Sequence, residues 1–204
     1  MIELFQRGGI IMYPLALTSL IALAYILERM LALRKKKIMI PEITSVVRHF
    51  STLKDLDLAK AVCAKYSGPL PNIIRIGLEN HHLPHNELKE LIEDHGRQES
   101  RKLERGLVVL EAIAAIAPLM GLLGTVLGMV RVFEVIKDKG IGQTAALSGG
   151  ISEALLTTVT GLFIGIPVLI AYFYFTNKSE NLIMDIEGAT NDLLVKIAKL
   201  RQSQ

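Results

Sequence analysis

A chain of 204 residues with 50% apolar and 21% charged side chains must segregate the two populations along its length, since neither a bilayer nor a soluble core accepts them mixed. The formal charge of +3 calls for no nucleic-acid partner, because basic clusters beside membrane spans and contact with anionic lipid headgroups account for it. Cys63 is the single cysteine, which excludes an intramolecular disulfide and leaves the expectation of a small packing residue in a reducing compartment.

Met1 to Gly9 leads into the first apolar run, Ile10 to Leu27, which is charge-free. About 20 residues of helix cross the roughly 30 Å hydrocarbon core, so this run is a candidate span. Ala22-Leu23-Ala24 resembles a signal-peptide cleavage site, but Glu3 and Arg7 leave the preceding segment without net positive charge and the tripeptide lies inside the run. An uncleaved span is therefore expected. Arg29, Arg34, Lys35, Lys36 and Lys37 follow it and read as a cytoplasmic anchor.

Glu28 to Gly106 is too polar to span and combines alternating charge with helical apolar spacing, which predicts amphipathic helices punctuated by Pro41, Pro69, Pro71 and Pro84. Leu56, Ala59, Val62 and Cys63 form one stripe, and Leu88, Leu91, Ile92 and His95 another. Asn86 is the expected N-cap of a helix carrying the Lys89/Glu93 and Glu93/Arg97 pairs, and that helix is expected to run into the second span without a stop. His81, His82 and His85 have the composition of a metal cluster. Pro84 breaks their helical spacing and no second ligand group accompanies them, so they read as a surface loop and no metal site is expected.

The second span covers Leu107 to Phe133, with its apolar heart from Ala112 to Val130 entered through Glu111. Ala114, Ala117, Pro118, Gly121, Gly124, Thr125 and Gly128 recur at spacings of three and four and place a small-residue stripe on one helical face. In lipid such stripes admit close backbone approach and dispersion contacts, and Gly124 with Gly128 is a GxxxG pair. In the connecting segment, Glu134 to Thr144, the run Lys139-Gly140-Ile141-Gly142 lacks the preceding strand of a phosphate loop.

The third span, Ala145 to Thr176, has a matching stripe of Ala154, Thr158, Gly161 and Gly165, with Glu153, Thr157 and Thr160 on an adjacent strip. A carboxylate within a span costs several kcal/mol unless protonated, paired or hydrated, so Glu153 is a functional candidate by default. Two placements stay open for it: facing a cavity, or at headgroup level. The threonines can each bond their own helix backbone, but their position beside Glu153 on faces poor in bulky side chains points to a polar lining. Asn177 to Gln204 then repeats the amphipathic theme, with Leu182, Ile183, Ile186, Ala189, Leu193, Ile197 and Leu200 at helical spacing, so span three is expected to continue inward.

Basic residues set the topology. They crowd the segment from Arg29 to Arg105 and return in the tail as Lys178, Lys196, Lys199 and Arg201, whereas only Arg131, Lys137 and Lys139 separate spans two and three. Residues near Gln6 and Gly140 are accordingly expected outside, and those near Cys63 and Gln204 inside. The expected fold is an all-α integral membrane protein with three transmembrane helices and long cytoplasmic helical extensions.

Ala117-Pro118-Leu119-Met120-Gly121-Leu122-Leu123-Gly124-Thr125-Val126-Leu127-Gly128-Met129, followed by Gly150-Ile151-Ser152-Glu153-Ala154-Leu155 and Thr158-Val159-Thr160-Gly161-Leu162-Phe163-Ile164-Gly165-Ile166-Pro167, resembles the paired signature of the ExbB/TolQ/MotA proton-channel family. Both segments, their order and the three-span layout agree, most closely with ExbB/TolQ-type subunits; four-span flagellar stator subunits have one span more. The signature covers the last two spans, and the cytoplasmic segment agrees in size and character.

The resemblance implies a pentameric ring in the bacterial inner membrane around a dimer of a single-span ExbD/TolR-like partner, with a TonB/TolA-like effector beyond it. It also implies that the partner's membrane aspartate carries protons, the coupling ion, while Thr125 and Thr158 line the path and Glu153 supports it. Pro118, Gly121, Gly124, Gly128, Thr157, Gly161 and Gly165 are then packing or pore-lining residues. No cofactor is expected. A self-sufficient cation channel or small exporter, in which Glu153 binds the transported cation, is the alternative. An intramembrane enzyme is disfavoured, because scattered carboxylates make no paired acid/base site and no nucleophile-base arrangement is evident.

Overall fold

The structure, a computed structural model, describes residues 8–49, 55–140 and 144–202. Glu3, Gln6, Arg7, Lys54, Ile141, Gly142 and Gln204 lie outside the described residues. Every regular element among the described residues is helical: α1 (Met12–Ala32), α2 (Lys35–Ile38), α3 (Pro41–His49), α4 (Asp55–Lys65), α5 (Pro69–Glu79), α6 (His85–Glu104), α7 (Leu107–Lys139) and α8 (Thr144–Gln202). Three of the helical stretches are long and apolar enough to cross a membrane. The all-α, three-span fold class read from the sequence stands. The chain divides into two compact units, one of Met1–Arg29 with Gly106–Tyr174 and one of Met30–Arg105 with Phe175–Gln204.

The first unit is apolar outside and small inside. Pro14 falls in the first turn of α1, where a missing backbone N–H breaks no helical bond. Met12 and Leu15 of that turn are buried with Ala117 of α7, and Ile11, Met120 and Ile164 close around them. The outward faces carry large side chains such as Tyr13, Leu20, Leu119, Leu122, Phe133, Phe163 and Ile170, all exposed. Apolar surface on that scale is incompatible with water and is matched by a bilayer or by further protein.

The second unit is an amphipathic helical bundle centred on α5. Pro69 at the start of α5 is pre-shaped for a helix N-terminus, and Leu70, Ile73, Ile74 and Leu78 are fully buried. A Cβ on Gly77 would lie 2.9 Å from Leu193 and 3.0 Å from Ile92, so its absence lets α5, α6 and the end of α8 meet closely. Leu56, Ala59, Cys63, Leu88 and Ile92 are buried as their stripes predict, while Val62, Leu91 and His95 are half-buried. The Leu182, Ile186, Ala189, Leu193 and Ile197 face of α8 is buried as well.

Polar contacts of long sequence range tie this bundle together. Lys196 donates to the carbonyls of Val47 and Arg48 at the C-terminal end of α3, and Arg201 donates to the carbonyl of His81. Lys196 thereby satisfies carbonyls that α3 itself cannot and opposes the negative end of its dipole. Lys35 pairs with Asp185 at 2.6 Å. Glu99, nearly buried, accepts from Asn72 at 3.1 Å and from Lys102 at 2.8 Å. The Lys89/Glu93 and Glu93/Arg97 pairs form at 3.6 and 4.0 Å on the exposed face of α6.

Two local expectations are corrected. The helix that begins near Asn86 does stop before the second span: α6 ends at Glu104, and Gly106 takes a left-handed φ of 87° before α7 begins. Only glycine adopts that conformation without strain, so Gly106 was the stop signal. Asn86 is not the N-cap either. The helix starts at His85, two residues earlier than a cap at Asn86 would set it, with Pro84 at the cap position, and no side chain caps it.

Cys63 is 2% exposed, and burial pushes its thiol up from 9.0 to about 11, with Arg75 opposing in part. Maleimide reacts with the thiolate, whose fraction near neutral pH falls about tenfold per unit of pKa. Labelling of the folded protein at pH 7.5 is therefore expected to run roughly 100-fold slower than that of a free thiol and to recover in denaturant. Stopped-time mass spectrometry with and without denaturant checks this, and equal rates would show that Cys63 is not held in the core.

Candidate functional site

Helix α7 and the first half of α8 run antiparallel, and the small residues of each fit the other at successive turns. Moving away from the connecting segment, a Cβ on Gly150 would meet Val132 at 2.6 Å, and one on Gly128 would meet Ala154 at 2.8 Å and the Gly150 carbonyl at 2.9 Å. One on Gly124 would strike Thr157 Oγ1 at 2.3 Å. Gly121 faces the Thr157 carbonyl and the Thr158 Cα, at 2.9 and 3.0 Å from its own added Cβ, and Gly161 faces the Ala117 carbonyl at 2.6 Å. The two backbones thus touch directly, as the matched stripes predict.

Pro118 lies inside α7, where its ring removes the helical bond to the Ala114 carbonyl and adds bulk. Gly165 accommodates both. Its added Cβ would lie 2.7 Å from Pro118 Cγ and 3.3 Å from the Ala114 oxygen. The small residue on one helix is therefore fitted to the proline on the other.

The hydroxyls on this seam divide by partner. Thr157, 1% exposed, donates to its own helix at the Ala154 carbonyl, 2.8 Å away, and fills the hollow at Gly124. Thr160 likewise donates to Leu156, and Thr125 to Leu122 at 2.6 Å. Thr158 alone of the four reaches across, donating to the Gly121 carbonyl of α7 at 3.1 Å. Thr125, Thr158 and Thr160 are half-buried, so their hydroxyls sit at the edge of the seam rather than within it. Each hydroxyl can both donate and accept, which is what a proton relay requires.

Glu153 is paired. Arg131 Nη1 donates to both carboxylate oxygens, at 2.7 and 2.8 Å, and the Glu153 side chain is 19% exposed against 55% for Arg131. Gly9, at a left-handed φ of 67°, lies directly against the same carboxylate: a Cβ there would fall 1.8 Å from Oε1. Three segments of the first unit, the turn before α1, α7 and α8, thus converge on one acid. Among the described residues no group of three or more His, Cys, Asp or Glu side chains is arranged to hold a metal ion.

Reading the sequence missed Arg131 and Gly9. Arg131 counted only as a connecting-segment base, although it lies three residues beyond Gly128 and so next along the same face. That spacing was the available signal. Gly9 carried none, since a glycine beside another glycine at the head of an apolar run gives no hint of which side chain it will touch.

Comparison with known proteins gives the same reading from a separate direction. The model of the MotA/TolQ/ExbB proton channel family matches residues 66–188. An ExbB homologue in biopolymer transport from Methanothermobacter thermautotrophicus is 30% identical over 187 residues, covering 91% of this chain and 66% of that protein. An ExbB-like protein of Synechocystis is 33% identical over 178 residues, 84% of this chain and 69% of the relative. The biopolymer transport protein ExbB of Neisseria gonorrhoeae is 35% identical over 103 residues, 50% of this chain and 47% of its own length. The chain thus spans from about half to two thirds of the length of these relatives. The matched region takes in the whole α7–α8 seam with Arg131 and Glu153, and the chain is a membrane protein belonging to the MotA/TolQ/ExbB proton channel family.

Proposed function

We propose that this chain is the multi-spanning subunit of an inner-membrane complex driven by the proton motive force, assembled as a homopentameric ring around a dimer of a single-span ExbD/TolR-like partner. Protons pass between ring and partner along a path edged by Thr125 and Thr158 and supported by Glu153. Their passage biases conformational steps that a TonB/TolA-like effector delivers as envelope transport or other mechanical work. The observation that carries this reading is the seam itself: two helices locked backbone to backbone, with hydroxyls at the edge and one carboxylate between them. A rigid wall of this kind suits a ring that must hold its shape while a partner moves inside it.

The energetics are adequate. One charge moving down 100 mV releases about 2.3 kcal/mol, so a few protons per step are enough to rearrange weak interfaces. The exposed apolar faces of α7 and α8 fit contact with neighbouring copies, a partner helix and lipid. The coupling ion is the proton, and the chain acts as a transducer, with no enzymatic step.

Reconstitution in liposomes tests the proposal. With a one-span partner bearing a membrane aspartate, native mass spectrometry is expected to find five copies of this chain with two of the partner, and dye-reported proton flux is expected only when both are present. Cation flux through the chain alone would favour the self-sufficient channel or exporter. A stable monomer would overturn the ring. Impermeant labelling of cysteines introduced at Gly140 and near the C-terminus is expected to mark Gly140 alone in intact cells, and the reverse would overturn the orientation.

A further inference from the structure

We infer that Arg131 is a positioning residue of the proton path, and that Glu153 serves there as the carboxylate it pairs with, keeping the shape of the path, rather than as a proton carrier. The inference deepens the proton-channel reading and rests on it for its functional arm. Its structural basis is the convergence on one carboxylate. Arg131 Nη1 contacts both oxygens of Glu153, at 2.7 and 2.8 Å, and so fixes the orientation of the carboxylate. From a third segment, the backbone at Gly9 closes over Oε1 so tightly that no side chain fits.

The pair is also held from both sides along the seam. The Gly150–Val132 contact lies one step toward the connecting segment, and the Gly128–Ala154 contact one step away from it. Close helix contacts therefore flank the pair on both sides. The guanidinium is half-exposed while the carboxylate is mostly covered, so the pair presents its positive end outward and its negative end to the seam. Among the described residues, Arg131 is the charged group paired with Glu153.

For an ion pair whose acid is largely covered, removing the base strands the carboxylate, whereas removing both leaves two neutral groups and costs less. A proton carrier behaves otherwise. If Glu153 itself bound each passing proton, no change at Arg131 would compensate for its loss.

The experiment is a double-substitution cycle in the full chain co-reconstituted with the single-span partner, read by unfolding midpoint and by proton flux. Arg131→Gln and Glu153→Gln are each expected to lower the midpoint and to cut flux by about tenfold or more. Arg131→Lys, which keeps the charge, is expected to stay within about threefold of the parent in flux. The combined Arg131→Gln/Glu153→Gln chain is expected to regain most of the midpoint and to return within the same threefold range. A combined variant as inactive as Glu153→Gln overturns the inference, as does an Arg131→Gln chain indistinguishable from the parent. If the parent conducts no protons with its partner, the proton-channel reading fails instead. The midpoints then still decide the pairing, because additive effects of the two substitutions would refute it.

Discussion

Gly161→Leu is expected to abolish the folded state of the membrane unit. A side chain at this position would start 2.6 Å from the Ala117 carbonyl oxygen and 3.0 Å from the Gly121 Cα, both backbone atoms that cannot rotate away. Overpacking of a tight core typically costs 1–3 kcal/mol when side chains can adjust; here the helices themselves must part, so about 3 kcal/mol or more is expected. Gly121→Leu is equivalent from the other side, against the Thr157 carbonyl and the Thr158 Cα. Gly188→Ala provides the contrast. Nothing lies within 4 Å of its added Cβ, and alanine in a helix interior is favoured over glycine by roughly 0.5–1 kcal/mol, so this chain should be as stable as the parent or slightly more so. Size-exclusion profiles and unfolding midpoints in detergent decide the matter. A Gly161→Leu protein with the parent's midpoint would mean that the α7–α8 seam does not hold the unit together.

Thr158→Val and Thr125→Val should separate folding from proton movement. Valine keeps the branched shape of threonine while removing the hydroxyl, so the fit against Gly121 and its neighbours survives. What is lost is the bond from Thr158 to the Gly121 carbonyl, or that from Thr125 to Leu122, worth about 1 kcal/mol each. If the hydroxyls also serve protons in transit, a similar free energy is lost at the barrier, which amounts to roughly fivefold to tenfold in flux. Assembly with the partner should persist. Thr18→Val is the matched control, since Thr18 makes the same kind of local bond, to Leu15 at 2.9 Å, on α1 away from the seam. Flux in the two seam variants equal to that of the control would remove both hydroxyls from the path and leave them as packing groups.

The three apolar runs, the paired small-residue stripes and the family were legible in the amino-acid order alone. Each depends on a property that neighbouring positions carry between them: hydropathy over about 20 residues matched to the thickness of a bilayer, and small side chains recurring with the period of a helix. The stripes even identified which faces meet, because in lipid close backbone approach is what draws helices together. Gly106 was equally local and was passed over, a glycine between two helical patterns that ends one of them.

What the order of residues left open was which atoms meet. Thr157 and Thr158 are adjacent and chemically alike, yet one plugs the hollow at Gly124 while the other bonds across to Gly121. Their roles diverge because neighbouring helical residues point about 100° apart and the register between α7 and α8 is set by interlocking shapes, not by composition. Arg131 and Glu153 stand 22 positions apart, and Lys196 reaches carbonyls 149 and 148 positions away. Such pairings exist only after the helices have docked, when a charge is shielded from water and must take the nearest compensating group that the packing brings to it.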